Sequence, residues 1–299
     1  MVPPAPPLVF DAEHKEDLRN ELLCGRGYVV LKGVLDKGIV NRARSCLMEM
    51  CDLQEFDGKG SFTKRTLNII EHDLVFAQLL DPSWKRFGPL IESILGEGCF
   101  LGSYHALNLF PEPEISERSV QVKRRLGLHS DYPFGQRQTP GTPHTVQTIW
   151  VLDKFSAERG GTVMLPSSHL IGHGPSSQSE EDWRRFKEGA VVLEADAGDV
   201  LLYIGQVWHT VNANRHPVLD DSTYAGGKGG VRSAVLGQWL PFYFSPMEDH
   251  QWRTPADVVR SMSTLSRRLL GFDSRMPGRQ RGWRANHSSG QSASAKSKL

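Results

Sequence analysis

The sequence has few of the features that mark a specialised class of protein. Its 299 residues include only four cysteines, and no two of them form a C-x-x-C pair. We therefore expect free thiols in a reducing compartment rather than a disulfide or zinc framework. The 35 Lys and Arg nearly balance the 34 Asp and Glu, so no net charge points to nucleic acid as a partner. The cysteines are Cys24, Cys46, Cys51 and Cys99.

Long apolar runs are also absent, and no stretch approaches the length of a membrane span. The proline-rich N-terminus lacks the basic and then apolar pattern of a secretory signal. What the sequence does have is a hydrophobic content of 39% and a charged content of 23%, which is ordinary for a globular protein with a sizeable core. This length suits one large domain or two modest ones.

The first third of the chain has helical periodicity. Helices are predicted from Asp11 to about Cys24, over 36–52, and from Asp81-Pro82 to about Leu95, with a short buried strand at 28–31. From Cys99 onward the chain turns into short segments rich in β-branched and aromatic residues, separated by Gly, Pro, Asp and Ser. These predicted strands cover 99–110, 126–132, 145–153, 161–165, 190–195, 199–204, 207–213 and 231–244.

Many short strands of this kind favour an antiparallel sandwich or barrel. The predicted fold is mainly β with flanking α: a double-stranded β-helix (jelly-roll, cupin-like) core supported by N-terminal helices and by a C-terminal helix that starts at Thr254-Pro255. No linker divides the helical part from the strands, so we expect a single domain over 11–272, with a flexible arm at 1–10 and a disordered basic, serine-rich tail at 273–299.

The tail ends in Ser297-Lys298-Leu299, which is the peroxisomal address in eukaryotes. If the source is eukaryotic, we expect a peroxisomal import receptor to bind this tripeptide and the protein to be peroxisomal. In a bacterial source the tripeptide carries no meaning, and a cytoplasmic location is expected instead.

Three polar residues stand out within apolar surroundings. His129 and Asp131 lie two apart in a strand-like run, so their side chains share one face. His209 follows the apolar run 200–208. Two histidines and one carboxylate form the facial triad of non-haem Fe(II) oxygenases, which leaves one side of the metal open. A lone His-x-Asp is more often a surface turn, so the prediction needs the distal histidine.

A cation supplies a further signal. Arg232 lies inside the apolar segment 230–236, where an unpaired charge is costly unless an anion arrives. The planar fork of arginine fits a carboxylate, so Arg232 is a candidate anchor for the far carboxylate of an oxoacid. A buried Arg–Asp pair is the alternative reading, and Arg215, in a polar turn, is the rival anchor.

Taken together, five segments in order resemble the phytanoyl-CoA dioxygenase family of Fe(II)/2-oxoglutarate oxygenases. The stretch 158–169, with its Gly-Gly-Thr and Pro-Ser-Ser-His, is the most distinctive. The spacing of 23 residues between His209 and Arg232 departs from the dozen or so usual in the family, because a Gly- and Asp-rich segment intervenes. The five segments are 128–131, 148–153, 158–169, 198–203 with His209, and the strand of Arg232.

The resemblance implies a set of site residues. His129, Asp131 and His209 would bind Fe(II), while Arg232 and Thr162 would hold the far carboxylate of the co-substrate 2-oxoglutarate. Asn108 would contact the oxoacid or the substrate, and His169 would be structural. His105, His144 and His173 match no ligand position and are taken as polar or pocket residues. Four aromatic residues are candidates to line a substrate pocket, although each is more often plain core: Tyr132, Phe134, Trp150 and Trp208.

The implied reaction is an O2-dependent oxidation, most simply a hydroxylation, of a small lipid-like or secondary-metabolite substrate, with 2-oxoglutarate converted to succinate and CO2. Two alternatives stay open. One is a peroxisomal acyl-CoA 2-hydroxylase of the phytanoyl-CoA type, for which the basic residues 123–125 could meet coenzyme A phosphates or could simply be a solvated charge run. The other is a non-catalytic jelly-roll binding protein. The sequence predicts no oligomeric state.

Overall fold

The computed structural model describes residues 14–51, 55, 62–112, 116–131, 138–216 and 230–273. The predicted arm at 1–10, the pocket candidates Tyr132 and Phe134, and the Ser297–Leu299 signal lie outside these residues and stay predictions. Within the described ranges, no helix combines the length and apolar character that crossing a membrane requires.

The N-terminal part is helical, as its periodicity predicts. Helix α2 buries one stripe of apolar side chains, among them Ile39, Ala43 and Leu47. The helix predicted to start at the Asp81-Pro82 cap begins at Leu80 instead, directly after a short preceding helix. The elements are α1 (Lys15–Leu23), β1 (Tyr28–Leu31), α2 (Lys37–Cys51), β2 (Thr63–Thr66), a 3-10 turn (Ile69–Glu71), α3 (Val75–Gln78) and α4 (Leu80–Leu95).

Two antiparallel sheets follow. The larger has the strand order β1-β7-β4-β9-β3-β2, and the smaller has the order β6-β5-β8. Both mix strands from distant parts of the sequence, and this mainly β architecture with flanking helices confirms the predicted class. The remaining strands are β3 (Phe100–Leu109), β4 (Val146–Val151), β5 (Thr162–Met164), β6 (Val191–Val192), β7 (Val200–Ile204), β8 (His209–Val211) and β9 (Arg232–Leu240).

The two faces of the larger sheet have different neighbours because successive strand residues alternate between them. On the outer face, the Trp150 indole N–H donates to Ser83 Oγ of α4 at 2.7 Å, and its ring lies edge-on to Tyr104 with 5.4 Å between centroids. The apolar core runs along this face from Leu18 to Leu270. The inner face lines a cavity that the smaller sheet closes from the opposite side.

Two sequence predictions are wrong in detail. The predicted strand 126–132 is not observed over its described residues, 126–131: Leu126 ends a helix, and His129 alone of these forms an isolated bridge, with His209. The helix capped by Thr254-Pro255 stops at Ser261, because Met262 is extended, and a new helix starts after Ser263, whose side chain accepts from the Ser266 N–H. The remaining helices are α5 (Glu117–Leu126), α6 (Glu180–Gly189), α7 (His250–Arg253), α8 (Ala256–Ser261) and α9 (Thr264–Leu269).

Candidate metal centre

Backbone hydrogen bonds bring the predicted metal ligands together. The N–H groups of His129 and His209 each donate to the carbonyl of the other residue, at 3.0 and 2.9 Å. The Asp131 N–H donates to the Gly205 carbonyl at 2.8 Å. His209 opens β8 in the smaller sheet, and these bonds tie the segment before 132 to the connection between β7 and β8. Residues 80 apart in the chain are thereby placed side by side.

The three side chains converge on one point. His129 Nε2 lies 3.5 Å from Asp131 Oδ1, and His209 Nε2 lies 3.6 Å from Asp131 Oδ2. The imidazole centroids are 4.2 Å apart, and one ligand atom from each of the three residues lies within 4.8 Å of the others. Ligands that share one metal ion at about 2.1 Å are roughly 3 Å apart, so the spacing fits a shared ion. Among the described residues this is the one such group of His, Cys, Asp and Glu.

The other nitrogen of each imidazole is already engaged. His129 Nδ1 lies 2.7 Å from the Gly127 carbonyl, and His209 Nδ1 lies 2.9 Å from the Val207 carbonyl. A carbonyl only accepts, so each Nδ1 carries the proton. In the neutral form of each ring, Nε2 is then left with its lone pair directed at the centre, which is the tautomer that metal ligation requires.

The pKa values of the two histidines shift in opposite directions. Burial lowers the pKa of His209 to about 4, although the charge of Asp131 opposes the shift. Burial also acts to lower the pKa of His129, but its hydrogen bond to Asp131 and the charge of that carboxylate outweigh burial, and the pKa is raised. Burial acts to raise the pKa of Asp131, yet the two imidazoles and a hydrogen bond lower it strongly, so the carboxylate is ionised.

Sequence reasoning missed Tyr203 as a member of the site. Its hydroxyl donates to Asp131 Oδ2 at 2.7 Å, and its ring lies edge-on to His209 with 5.1 Å between centroids. Burial first, and then the neighbouring Asp131 charge, raise the pKa of the phenol well above its usual value, so it remains a donor. A tyrosine on the inner side of an apolar strand that leads to the distal histidine was the available signal.

Arg232 lies in the same cavity as the triad, which has a volume of about 380 Å³. The residue is 3% exposed, and its guanidinium lies over the Phe155 ring at 4.2 Å. Asp153 is the nearby acid, but its two oxygens accept from Arg44 Nε at 2.7 Å and the Ser233 N–H at 2.9 Å. Arg232 Nε has no hydrogen-bond partner among the described residues. A buried cation with an unused donor fits a carboxylate ligand better than a closed Arg–Asp pair.

The other predicted oxoacid contacts divide into two groups. Thr162 of β5 lines the cavity with Arg232. Arg215 does not: its side chain is 46% exposed and pairs with Glu117 at 3.0 Å. Asn108 is a correction, because alternation along β3 turns it to the outer face, where its Nδ2 donates to Cys51 Sγ at 3.1 Å.

The two predicted aromatic pocket residues that the structure describes are core residues. Trp150 packs against α4 on the outer face. Trp208 donates its indole N–H to the His173 carbonyl at 3.0 Å and packs in a separate apolar cluster. The inner face of the larger sheet supplies the pocket lining instead, with His105 among the polar residues there, as expected. This lining comprises Ser103, His105, Leu107, Gln147, Ile149, Ala234, Leu236 and Gln238.

Several other sequence predictions concern polar residues outside the triad. His169 is buried and has its Nε2 3.2 Å from the Leu23 carbonyl, a structural contact to the end of α1. The basic cluster 123–125 lies on α5 and is engaged within the chain. Lys123 pairs with Glu112, Arg124 donates to Asn212 Oδ1 at 2.6 Å, and Arg125 pairs with Glu180 at 2.6 Å.

The model of the family described as "Phytanoyl-CoA dioxygenase (PhyH)" matches residues 23–217, more than half of the chain. The chain belongs to this family. The matched range includes all three residues of the metal centre and Thr162, but it ends before Arg232. The placement of Arg232 therefore rests on the structure and not on the family match.

Two relatives of known name agree with this family assignment. The chain is 31% identical over 149 residues to "Dioxygenase andF" of Emericella variicolor, covering 48% of the chain and 45% of that protein. It is 24% identical over 221 residues to "Dioxygenase cdmD" of Talaromyces verruculosus, covering 72% and 63%. The chain thus spans about half to two thirds of the length of these relatives.

The fold also resembles that of the epimerase SnoN, solved with Fe3+, alpha ketoglutarate and nogalamycin RO. The TM-score is 0.56 at 19% identity, covering 77% of this chain and 84% of the SnoN chain. At this identity the likeness speaks for the fold, and it agrees with the predicted jelly-roll core. The family and the fold thus come from independent comparisons, and the donor set described above suits Fe(II).

Proposed function

We propose that this protein is an Fe(II)- and 2-oxoglutarate-dependent dioxygenase that oxidises, most simply by hydroxylation, a small organic molecule. One observation carries the proposal: a His-Asp-His group whose ligand atoms converge on one point shares a cavity with a buried, incompletely bonded arginine. A metal site alone would fit many functions. A metal site together with a carboxylate anchor favours an oxoacid-dependent reaction.

Each residue has a defined task in this proposal. His129, Asp131 and His209 would hold Fe(II), and Arg232 with Thr162 would hold the far carboxylate of 2-oxoglutarate. Bound Fe(II), with 2-oxoglutarate and O2, supplies the oxidising power, while the oxoacid ends as succinate and CO2. The Tyr203 hydroxyl, by donating to Asp131 Oδ2, restrains the carboxylate and leaves Oδ1 toward His129.

The cavity wall between Arg232 and the polar end is apolar, with Leu107, Ala234 and Leu236 as members. An apolar wall disfavours water beside it, and charge interactions next to such a wall are stronger than in bulk water. The acyl-CoA alternative loses support because the basic residues 123–125 are paired within the chain. The non-catalytic alternative also loses support, because all three predicted metal ligands are present and lie together.

The test is succinate formation by purified protein with Fe(II), 2-oxoglutarate and O2. We expect succinate from the wild type and none from Asp131→Ala, because one of the three metal ligands is lost. Asp196→Ala is the matched control, since the Asp196 side chain is 69% exposed and contacts only Lys32 among the described residues, at 3.4 Å. Metal-dependent succinate formation that persists in Asp131→Ala would contradict the proposal.

A further inference from the structure

We propose that Gln238 determines substrate specificity, because its side-chain oxygen accepts a hydrogen bond from a hydroxyl or N–H group of the substrate. The substrate class would then be small organic molecules that carry such a donor, rather than plain hydrocarbon chains. The inference rests on the proposed oxygenase function and makes its substrate class narrower.

The amide lies in a row of polar residues that crosses the inner face of the larger sheet. Tyr203, Gln147, Gln238 and Ser103 are successive cross-strand partners on β7, β4, β9 and β3, and all line the cavity. The adjacent row contains Ile149 and Leu236, which are apolar. Neighbouring strands are about 4.8 Å apart, and β9 lies two strands from β7, so Gln238 lies roughly 10 Å across the sheet from Tyr203. Tyr203 in turn contacts the metal centre through Asp131.

The other members of this row have partners within the chain. The Tyr203 hydroxyl donates to Asp131, and Ser103 Oγ donates to Glu248 and lies 3.0 Å from His105 Nδ1. Gln147 Nε2 lies 3.4 Å from Thr145 Oγ1. Gln238 is 6% exposed, yet its Oε1 has no hydrogen-bond partner among the described residues. Buried polar atoms are nearly always bonded, so an orphan acceptor in a cavity wall points to a ligand donor.

The co-substrate cannot fill this role. Ionised 2-oxoglutarate offers acceptors only, and an acceptor oxygen cannot satisfy Gln238 Oε1. Position also excludes it: Gln238 and Arg232 are six residues apart on β9, about 20 Å along the strand. A five-carbon acid held by Arg232 does not reach that far. The donor must therefore belong to the molecule that is oxidised.

The first arm of the test needs no ligand. Gln238→Met replaces an amide whose Oε1 is unsatisfied with an apolar chain of similar size, so the melting temperature of the ligand-free protein should stay level or rise. Gln206→Met is the matched control: this amide also has an Oε1 without a partner among the described residues, but it lies outside the cavity. Its Nε2 donates to the Thr142 carbonyl at 3.0 Å, so loss of that bond should lower the melting temperature. A clear fall for Gln238→Met would contradict the proposal.

The second arm measures binding to protein loaded with Ni(II) and 2-oxoglutarate, which does not turn over. The probes are 2-decalol and its methyl ether, which keeps the oxygen acceptor but loses the donor. By ligand-observed NMR, the wild type should prefer the alcohol, and Gln238→Met should reduce that preference about tenfold. Gln206→Met should retain it.

A wild type without preference for the alcohol, whether neither probe binds or both bind equally, overturns the inference. So does a preference that survives in Gln238→Met. Failure of the proposed function looks different, because the wild type would then form no succinate with Fe(II) and 2-oxoglutarate. A protein that forms succinate but shows no role for Gln238 would lose this inference alone.

Discussion

Arg232 is a buried charge that its own chain leaves incompletely bonded. If it anchors 2-oxoglutarate, Arg232→Leu should raise the concentration of 2-oxoglutarate needed for half-maximal succinate formation by about 100-fold, equivalent to about 3 kcal/mol for a charged hydrogen-bonded contact. The measurement is succinate formation against 2-oxoglutarate concentration at saturating Fe(II). The melting temperature of the variant should not fall sharply, because Arg232 Nε has no hydrogen-bond partner among the described residues and leucine removes a buried charge.

Arg215→Leu is the control for this prediction. Its side chain is half-exposed and pairs with Glu117 at the surface, so its removal should leave the 2-oxoglutarate requirement near normal. The reverse pattern, with Arg215→Leu impaired and Arg232→Leu normal, would move the anchor to the polar turn.

The two histidines of the metal centre should release different numbers of protons when a metal binds. His209 has a pKa of about 4 and Asp131 a lowered one, so at pH 6 both already lack the competing proton. His129 has a raised pKa, so its Nε2 still carries a proton that competes with the metal at pH 6. Binding of Co(II) should release about one proton at pH 6, and its apparent affinity should rise with pH until His129 is neutral.

Calorimetry at pH 6 in two buffers of different ionisation enthalpy gives this proton count. His173→Gln should leave it unchanged, because His173 bonds the Gly174 carbonyl outside the triad. A release of two protons would mean that burial does not keep His209 neutral. A release of none would mean that Asp131 does not hold a proton on His129.

Strand β4 and helix α4 are joined by a buried bond that should matter for stability and not for catalysis. Ser83→Ala removes the acceptor of the Trp150 indole N–H and should lower the free energy of unfolding by about 1–3 kcal/mol. The 2-oxoglutarate requirement should not change, because Trp150 faces the helices. Both quantities are measured on one preparation, by urea unfolding and by succinate formation.

Ser93→Ala is the matched control on the same helix. Among the described residues its hydroxyl donates only to the Leu90 carbonyl within α4, so its loss should lower the free energy of unfolding little. If Ser83→Ala changed the 2-oxoglutarate requirement and left the free energy of unfolding unchanged, Trp150 would be a pocket residue, as the sequence analysis predicted.

Trp150 shows where sequence reasoning stops for these strands. Most strand positions were predicted well, and β1 agrees residue for residue, although β2 was not predicted. The sheet face on which each side chain lies was not predictable, because both faces of the larger sheet are covered. Apolar residues such as Ile149 and Trp150 therefore alternate with each other and not with polar residues. Asn108 was misplaced for the same reason, since its polarity suggested the cavity although it bonds Cys51.

Helix α5 was missed although its ends were readable. Ser116 caps it by accepting from the Ser119 N–H, basic residues fill its last turn, and Gly127 follows its end. The Pro- and Glu-rich stretch before it is typical of a loop, and the apolar run after it is typical of a strand. The metal ligands were still predicted, because His-x-Asp and a distal histidine depend on side-chain chemistry and not on the element that presents them.

The cavity joins the two sheets of the molecule. His209 and Thr162 belong to the smaller sheet, whereas Arg232 belongs to the larger, so a metal with 2-oxoglutarate would connect β8 and β5 to β9.

Ligands that bind only the folded state stabilise it by about 2.7 kcal/mol at a hundred times the dissociation constant. Ni(II) with 2-oxoglutarate should therefore raise the melting temperature by about 4–5 °C for a chain of this size. Glutarate, which keeps both carboxylates but lacks the keto oxygen, should raise it clearly less, and Asp131→Ala should abolish the metal-dependent part. An equal shift with glutarate would mean that the acid binds at Arg232 without engaging the metal, and the two sites would then act independently.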